Sequence, residues 1–99
     1  MRVVSKKVRN AARDQICTLR LSDCNFNRET SVLAHLPNGF KGMGIKGFDT
    51  VAVFACSNCH DKIDARTSSS ESIDWRDVTR ALAETHAVLI QLKIIEVKA

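Results

Sequence analysis

Residues 55–64 read Ala55-Cys56-Ser57-Asn58-Cys59-His60-Asp61-Lys62-Ile63-Asp64, and this short run governs the reading of the whole 99-residue chain. Cys56 and Cys59, separated by two residues, form a knuckle that can present two thiolates to one ion, because the backbone turns tightly and its amides can bond the sulfurs. Cys17 and Cys24, separated by six residues, complete a set of four. Zinc takes four ligands in a tetrahedron, so two cysteine pairs make a closed structural site with no position left for catalysis. Two other readings stand beside it here. A redox-active CxxC expects a βαβ setting, and a disulfide expects an oxidising compartment.

Working outward, Thr50-Val51-Ala52-Val53-Phe54-Ala55 reads as a strand entering the knuckle, and Thr30-Ser31-Val32-Leu33-Ala34-His35 reads as an earlier one. Between them, Pro37-Asn38-Gly39 breaks the pattern, and all four glycines fall at Gly39, Gly42, Gly44 and Gly47. Ser57 is placed to cap a helix running to about Arg66. The order is strand, glycine-rich connection, strand, helix. Further out, residues 9–15 suit a short helical turn, Ile16–Leu21 a short strand or extended knuckle, and residues 22–27 turns. A last helix begins near Asp74, with Asp74 and Asp77 as a capping pair and Trp75, Val78, Leu82, Thr85, His86 and Leu89 at helical spacing. Ile94-Ile95-Glu96-Val97 suits a final short strand. The fold class expected is therefore α+β, a single domain over 1–99: a basic lead (1–8), a core (9–66), and a C-terminal packing helix with its tail (73–99).

The chemistry begins at His60. His60 and Asp64, four residues apart, share one helix face and can grip one divalent ion, with positions left for water and a phosphate oxygen. A plain surface pairing is the other reading of that spacing. His35 ends the first strand, where a neutral imidazole could take the proton of a water attacking phosphorus; a structural histidine is the alternative. His86 falls in the apolar stripe of the last helix and reads as packing, and Trp75 as core or interface. Five aromatic residues without a tyrosine offer no stacking platform for single strands.

The formal net charge is +4, and residues 1–20 hold Arg2, Lys6, Lys7, Arg9, Arg13 and Arg20 against Asp14 alone. Such a basic arm suits a polyanion, or simply solvent. The start of the chain shows no apolar leader, and nothing approaches the roughly 20 apolar residues of a membrane helix. A cytoplasmic chain with reduced cysteines is expected, and no membrane partner.

The run Val32-Leu33-Ala34-His35 followed by Cys56-Ser57-Asn58-Cys59-His60 resembles the HNH endonuclease superfamily with its ββα-metal core. More closely, the chain resembles the YbcO-like prophage nucleases, related to the phage RecA-dependent nuclease Ref. The matching phrases are Ala11-Ala12-Arg13, Thr30 to His35, Lys46 with Asp49, Ala55-Cys56-Ser57, and Cys59-His60-Asp61 with Ile63-Asp64. The resemblance implies a metal-dependent endonuclease acting on DNA, with His35 as general base, Asp49 (or less directly Asn38) orienting it, and His60 and Asp64 on a catalytic Mg2+, Mn2+ or Zn2+. It implies a structural Zn2+ on Cys17, Cys24, Cys56 and Cys59, and DNA contacts from Arg9, Arg13 and Lys46. A homodimer and a recombination-protein partner are compatible with it. Two positions depart from the pattern: Ala34 stands where many members carry a further metal ligand, and the middle asparagine has no clear counterpart. A non-catalytic zinc-knuckle module that binds nucleic acid or protein is therefore the competing expectation.

Overall fold

In the computed structural model, which describes residues 3–36, 48–64 and 73–98, two four-residue strands make an antiparallel pair. Strands β1 (Val32–His35) and β2 (Ala52–Ala55) align Val32 with Ala55 and His35 with Ala52. Helix α1 (Lys6–Ala11) precedes them, α2 (Ser57–Asp64) follows β2 directly, and α3 (Trp75–Gln91) packs along β2. The architecture is small α+β, with three helices and one sheet among the described residues. None of these helices is long and apolar enough to cross a membrane.

The hairpin is covered on both faces, which is why all four residues of β2 are buried and its sequence shows no polar alternation. Strand geometry sends successive side chains to opposite sides. Ala34, Val53 and Ala55 meet the cysteines, Ile63 of α2, and Val78 and Ala81 of α3. Leu33 and Phe54 meet Val8 and Ala12 near α1 and Leu89 of α3. The edge of β2 away from β1 is satisfied by two threonines. Thr18 donates through its amide and its hydroxyl to the Phe54 carbonyl, both at 2.8 Å, and the Phe54 amide donates to Thr85 Oγ1 at 3.2 Å. Thr85 is fully buried in the apolar stripe of α3 for that reason.

Helix boundaries follow their caps. Ser5 accepts from the Val8 amide, so α1 starts at Lys6 and not at residue 9, as the sequence pattern suggested. The lead is tied down as well, since the Val3 carbonyl accepts from the Asp49 amide at 2.9 Å. Residues Arg28–Thr30 form a 3-10 turn, so β1 begins two residues later than expected. Ile16–Leu21 is extended knuckle without strand pairing. For α2 the cap is Cys56 and not Ser57: its carbonyl accepts from His60 at 2.9 Å, and its sulfur accepts the Cys59 amide at 3.4 Å. Asp74 caps α3 as expected.

The chain after α3 turns back instead of forming the expected terminal strand. Lys93 adopts a left-handed backbone (φ 59°), its amide reaches the Ile90 carbonyl, and the Ile94 amide reaches the Leu89 carbonyl at 2.9 Å. This is the Schellman closure, with lysine where glycine is usual. It folds Ile94 and Ile95 onto Phe54 and Leu89.

Candidate functional site

Two centres flank the hairpin. At the knuckle end, Cys17 and Cys24 arrive on the irregular segment before β1, and Cys56 and Cys59 on the junction of β2 with α2. Their four sulfurs lie within 4.8 Å of one another, and the Cys24 and Cys56 sulfurs are 3.8 Å apart. Metal–sulfur bonds of about 2.3 Å in a tetrahedron give sulfur–sulfur edges near 3.8 Å. A disulfide needs about 2.05 Å, and all four cysteines are free. Left-handed residues wrap the chain around the sulfurs: Arg20 (φ 47°) three residues after Cys17 and Phe26 (φ 54°) two after Cys24. Backbone amides of Arg20, Leu21 and Phe26 point at Cys17, Cys59 and Cys24 respectively.

The electrostatics of the bare cluster are conflicted. A hydrogen bond from Cys59, helped by the amides of Arg20 and Cys56, draws the Cys17 thiol down to about 4. Burial pushes the Cys24 thiol up to about 11, and the bond to Cys17 pushes Cys59 upward too. Four thiols this close cannot all ionise against one another, and a dication at their centre removes that repulsion. The donor set thus fits one structural metal ion.

α3 braces this centre. Arg80 Nη2 donates to the carbonyls of Thr18 and Leu19 at 3.1 and 2.7 Å, and Arg20 pairs with Glu84 through two bonds of 2.9 and 2.7 Å. Arg20 was read only as part of the basic arm and Arg80 not at all, since contacts 61 to 64 residues apart leave no local signal.

At the other end of the hairpin, His35 closes β1 and Asp49 opens the turn into β2. His35 Nε2 donates to Asp49 Oδ1 at 2.7 Å, and the Asp49 side chain is fully buried while that of His35 is 23% exposed. Asp49 Oδ2 accepts from the Ser5 amide at 2.7 Å and from Arg9 Nε at 3.0 Å. Burial alone pushes this carboxyl upward. The bonds from His35, Ser5 and Arg9 outweigh it and hold Asp49 below the usual carboxylate range. An ionised carboxylate only accepts, so Nε2 carries the imidazole proton and Nδ1 is the basic nitrogen. His86 of α3 steadies the same turn by donating to the Thr50 carbonyl at 2.8 Å, so the packing histidine also supports the site.

The structure thus brings His35 together with Asp49, and it turns Arg9 toward that pair. Arg13 is exposed two residues beyond the end of α1. Ala34 is buried in the knuckle-side core with Cys59 and Ile63, while His35, the next residue of β1, turns to Asp49. His60 is half-buried on the first turns of α2. The cysteine quartet is the set of three or more metal-capable residues found among the described residues, and His60 is not part of it. Asn38, Lys46 and the side chain of Asp64 lie outside the described residues. Trp75, expected in core or interface, is 56% exposed.

A family model described as "Putative nuclease YbcO" matches residues 6–92. Two relatives carrying that name, from Escherichia coli (strain K12) and Enterobacteria phage 82, are each 52% identical over 62 residues. That alignment covers 61% of this chain and 65% of the relatives, slightly under two thirds of their length. A solved structure described as a putative bacteriophage protein from Escherichia coli str. K-12 substr. MG1655 superposes with a TM-score of 0.63 at 35% identity, over 88% of this chain and all of that one.

Proposed function

The chain belongs to the YbcO putative-nuclease family, and from that premise we propose that it is a metal-dependent endonuclease of HNH type that hydrolyses DNA phosphodiester bonds and is of phage or prophage origin. The observation that carries this reading is the His35–Asp49 pair. A buried, ionised carboxylate fixes the imidazole so that one nitrogen is committed as donor and the other is free to act as a base.

In this reading, His35 Nδ1 takes a proton from water as the water oxygen forms its bond to phosphorus. The bond from phosphorus to the leaving sugar oxygen breaks, and that oxygen takes a proton from solvent. Asp49 stabilises the imidazolium so formed, and Arg9 and the Ser5 amide hold Asp49 in place. His60 and Asp64, one turn apart on α2, would hold Mg2+ or Mn2+, with Zn2+ as a further candidate. Such an ion supplies charge stabilisation for the phosphoryl and leaving oxygens. The cysteine quartet holds Zn2+ as a structural ion, and Arg13 and Lys46 contact the DNA backbone. A relative from a phage supports the proposed origin.

The competing reading is a nucleic-acid-binding module without catalysis. It is favoured by Ala34, whose burial in the core leaves β1 without a second ligand. Plasmid nicking with added Mg2+ or Mn2+ separates the two. Nicking by the metal-loaded protein that falls about 10²- to 10⁴-fold in His35→Ala supports the endonuclease. Equal behaviour of parent and variant supports the module.

A further inference from the structure

We propose that the open cleft between α1 and the C-terminal turn of α3 is a second DNA contact, a subsite for the phosphate backbone of duplex DNA that lies outside the His35–Asp49 pair. This assignment rests on the nuclease reading above. The cleft has a volume of about 600 Å³. Lys7, Arg13 and Lys93 line it together with Asn10 and Gln15, and Ala11, Leu92 and Ile94 supply its apolar lining.

Three features carry the assignment. First, three cations line the cleft and no acidic residue among the described residues does. Lys7, Arg13 and Lys93 have no ion pair or side-chain hydrogen bond among the described residues. Such charge is available to a polyanion, and the apolar lining strengthens its field. Arg9, Arg20, Arg76 and Arg80, by contrast, are each paired with a carboxylate. Second, no aromatic ring among the described residues lines the cleft, so it suits backbone contact and not base stacking. Third, α1 joins the cleft to the candidate active site. Lys7 and Asn10, three apart, share the helix face that lines the cleft, while Arg9 turns to Asp49. The same short helix thus carries residues of the cleft and the arginine that holds Asp49.

The test uses the metal-loaded full chain and a fluorescein-labelled 20-bp duplex, with no added Mg2+ or Mn2+, titrated across salt concentrations. Lys93→Gly suits the left-handed backbone better than lysine does, so a loss of binding in this variant is not a loss of folding. Arg76→Gln, at the other end of α3, removes the same charge and is the control. Neutralising a phosphate contact lowers the slope of log K against log salt by about 1, so Arg13→Gln with Lys93→Gly should lower it by about 2 and weaken low-salt binding tenfold or more. Arg76→Gln should leave both unchanged. The proposal is supported by that contrast whether or not the protein nicks plasmid, so failure of the catalytic reading remains distinguishable. It is overturned if the cleft variants bind like the parent, or if the control weakens binding equally. A parent protein that ignores the duplex but binds a poly-glutamate peptide overturns it in favour of an acidic polypeptide.

Discussion

Asp49 holds the candidate active site together, and its environment makes a signed prediction. Its carboxyl is held below the ordinary range, so the folded state favours the ionised form more than the unfolded chain does. The stabilisation is present above the unfolded value of about 4 and is lost as pH falls through the lowered folded value. Asp49→Asn should therefore lose about 1–3 kcal/mol at pH 7 in denaturant unfolding, and the gap to the parent should shrink below about pH 4. A gap independent of pH would remove ionisation from the account. Arg9 makes a second prediction at this scale. As a charge in a basic arm it reads as a phosphate contact, yet its Nε is bound to Asp49, 40 residues away. Arg9→Ala should lower nicking while changing the salt slope of DNA binding less than Arg13→Gln does. His35 and the cysteine knuckle were legible because their neighbours in sequence define them. The Arg9–Asp49 contact was not, because only the folded chain brings those residues together.

Elements were legible where their start and stop signals are local. Asp74 announces α3, and Asp74→Ala should lower stability by about 1 kcal/mol in the same unfolding measurement. The order strand, connection, strand, helix was also readable, because β-branched runs bounded by turn residues carry that signal. The misreadings have a common cause: a tertiary partner competes with a local preference. Ile94-Ile95-Glu96-Val97 has strand chemistry, but partial burial of both isoleucines against Phe54 and Leu89 wins. The left-handed Lys93 that permits this is strained relative to glycine by about 1 kcal/mol. Lys93→Gly should therefore leave stability equal or up to about 1 kcal/mol higher, even as it weakens DNA binding. At α2 a sulfur, Cys56 Sγ, takes the place of the usual cap oxygen, so the boundary fell one residue earlier than Ser57 suggested. One atom there both starts a helix and belongs to the metal quartet.

At the scale of the whole molecule, that sharing couples the metal centre to everything else. A chain of 99 residues buries too little apolar surface to hold two independent cores. The core on the knuckle side is built from the cysteines themselves together with Val78 and Ala81 of α3, and Arg80 ties α3 to the carbonyls of Thr18 and Leu19. Phe54 lies on the other face of the same strand and bonds to Thr85 of α3, so neither face can loosen alone. Without an ion, the quartet leaves four thiol groups that cannot all ionise beside the start of α2 and against Val78 and Ala81 of α3. Chelation at neutral pH should therefore abolish far-UV helical signal in one transition coincident with metal release, although α3 supplies no ligand. Arg80→Ala should speed that release, because it removes two bonds that hold the Cys17 turn in shape. An apo-protein that keeps the ellipticity of a 17-residue helix would mean that α3 folds on the hairpin without the quartet. In that case the ion would only decorate a fold that already stands.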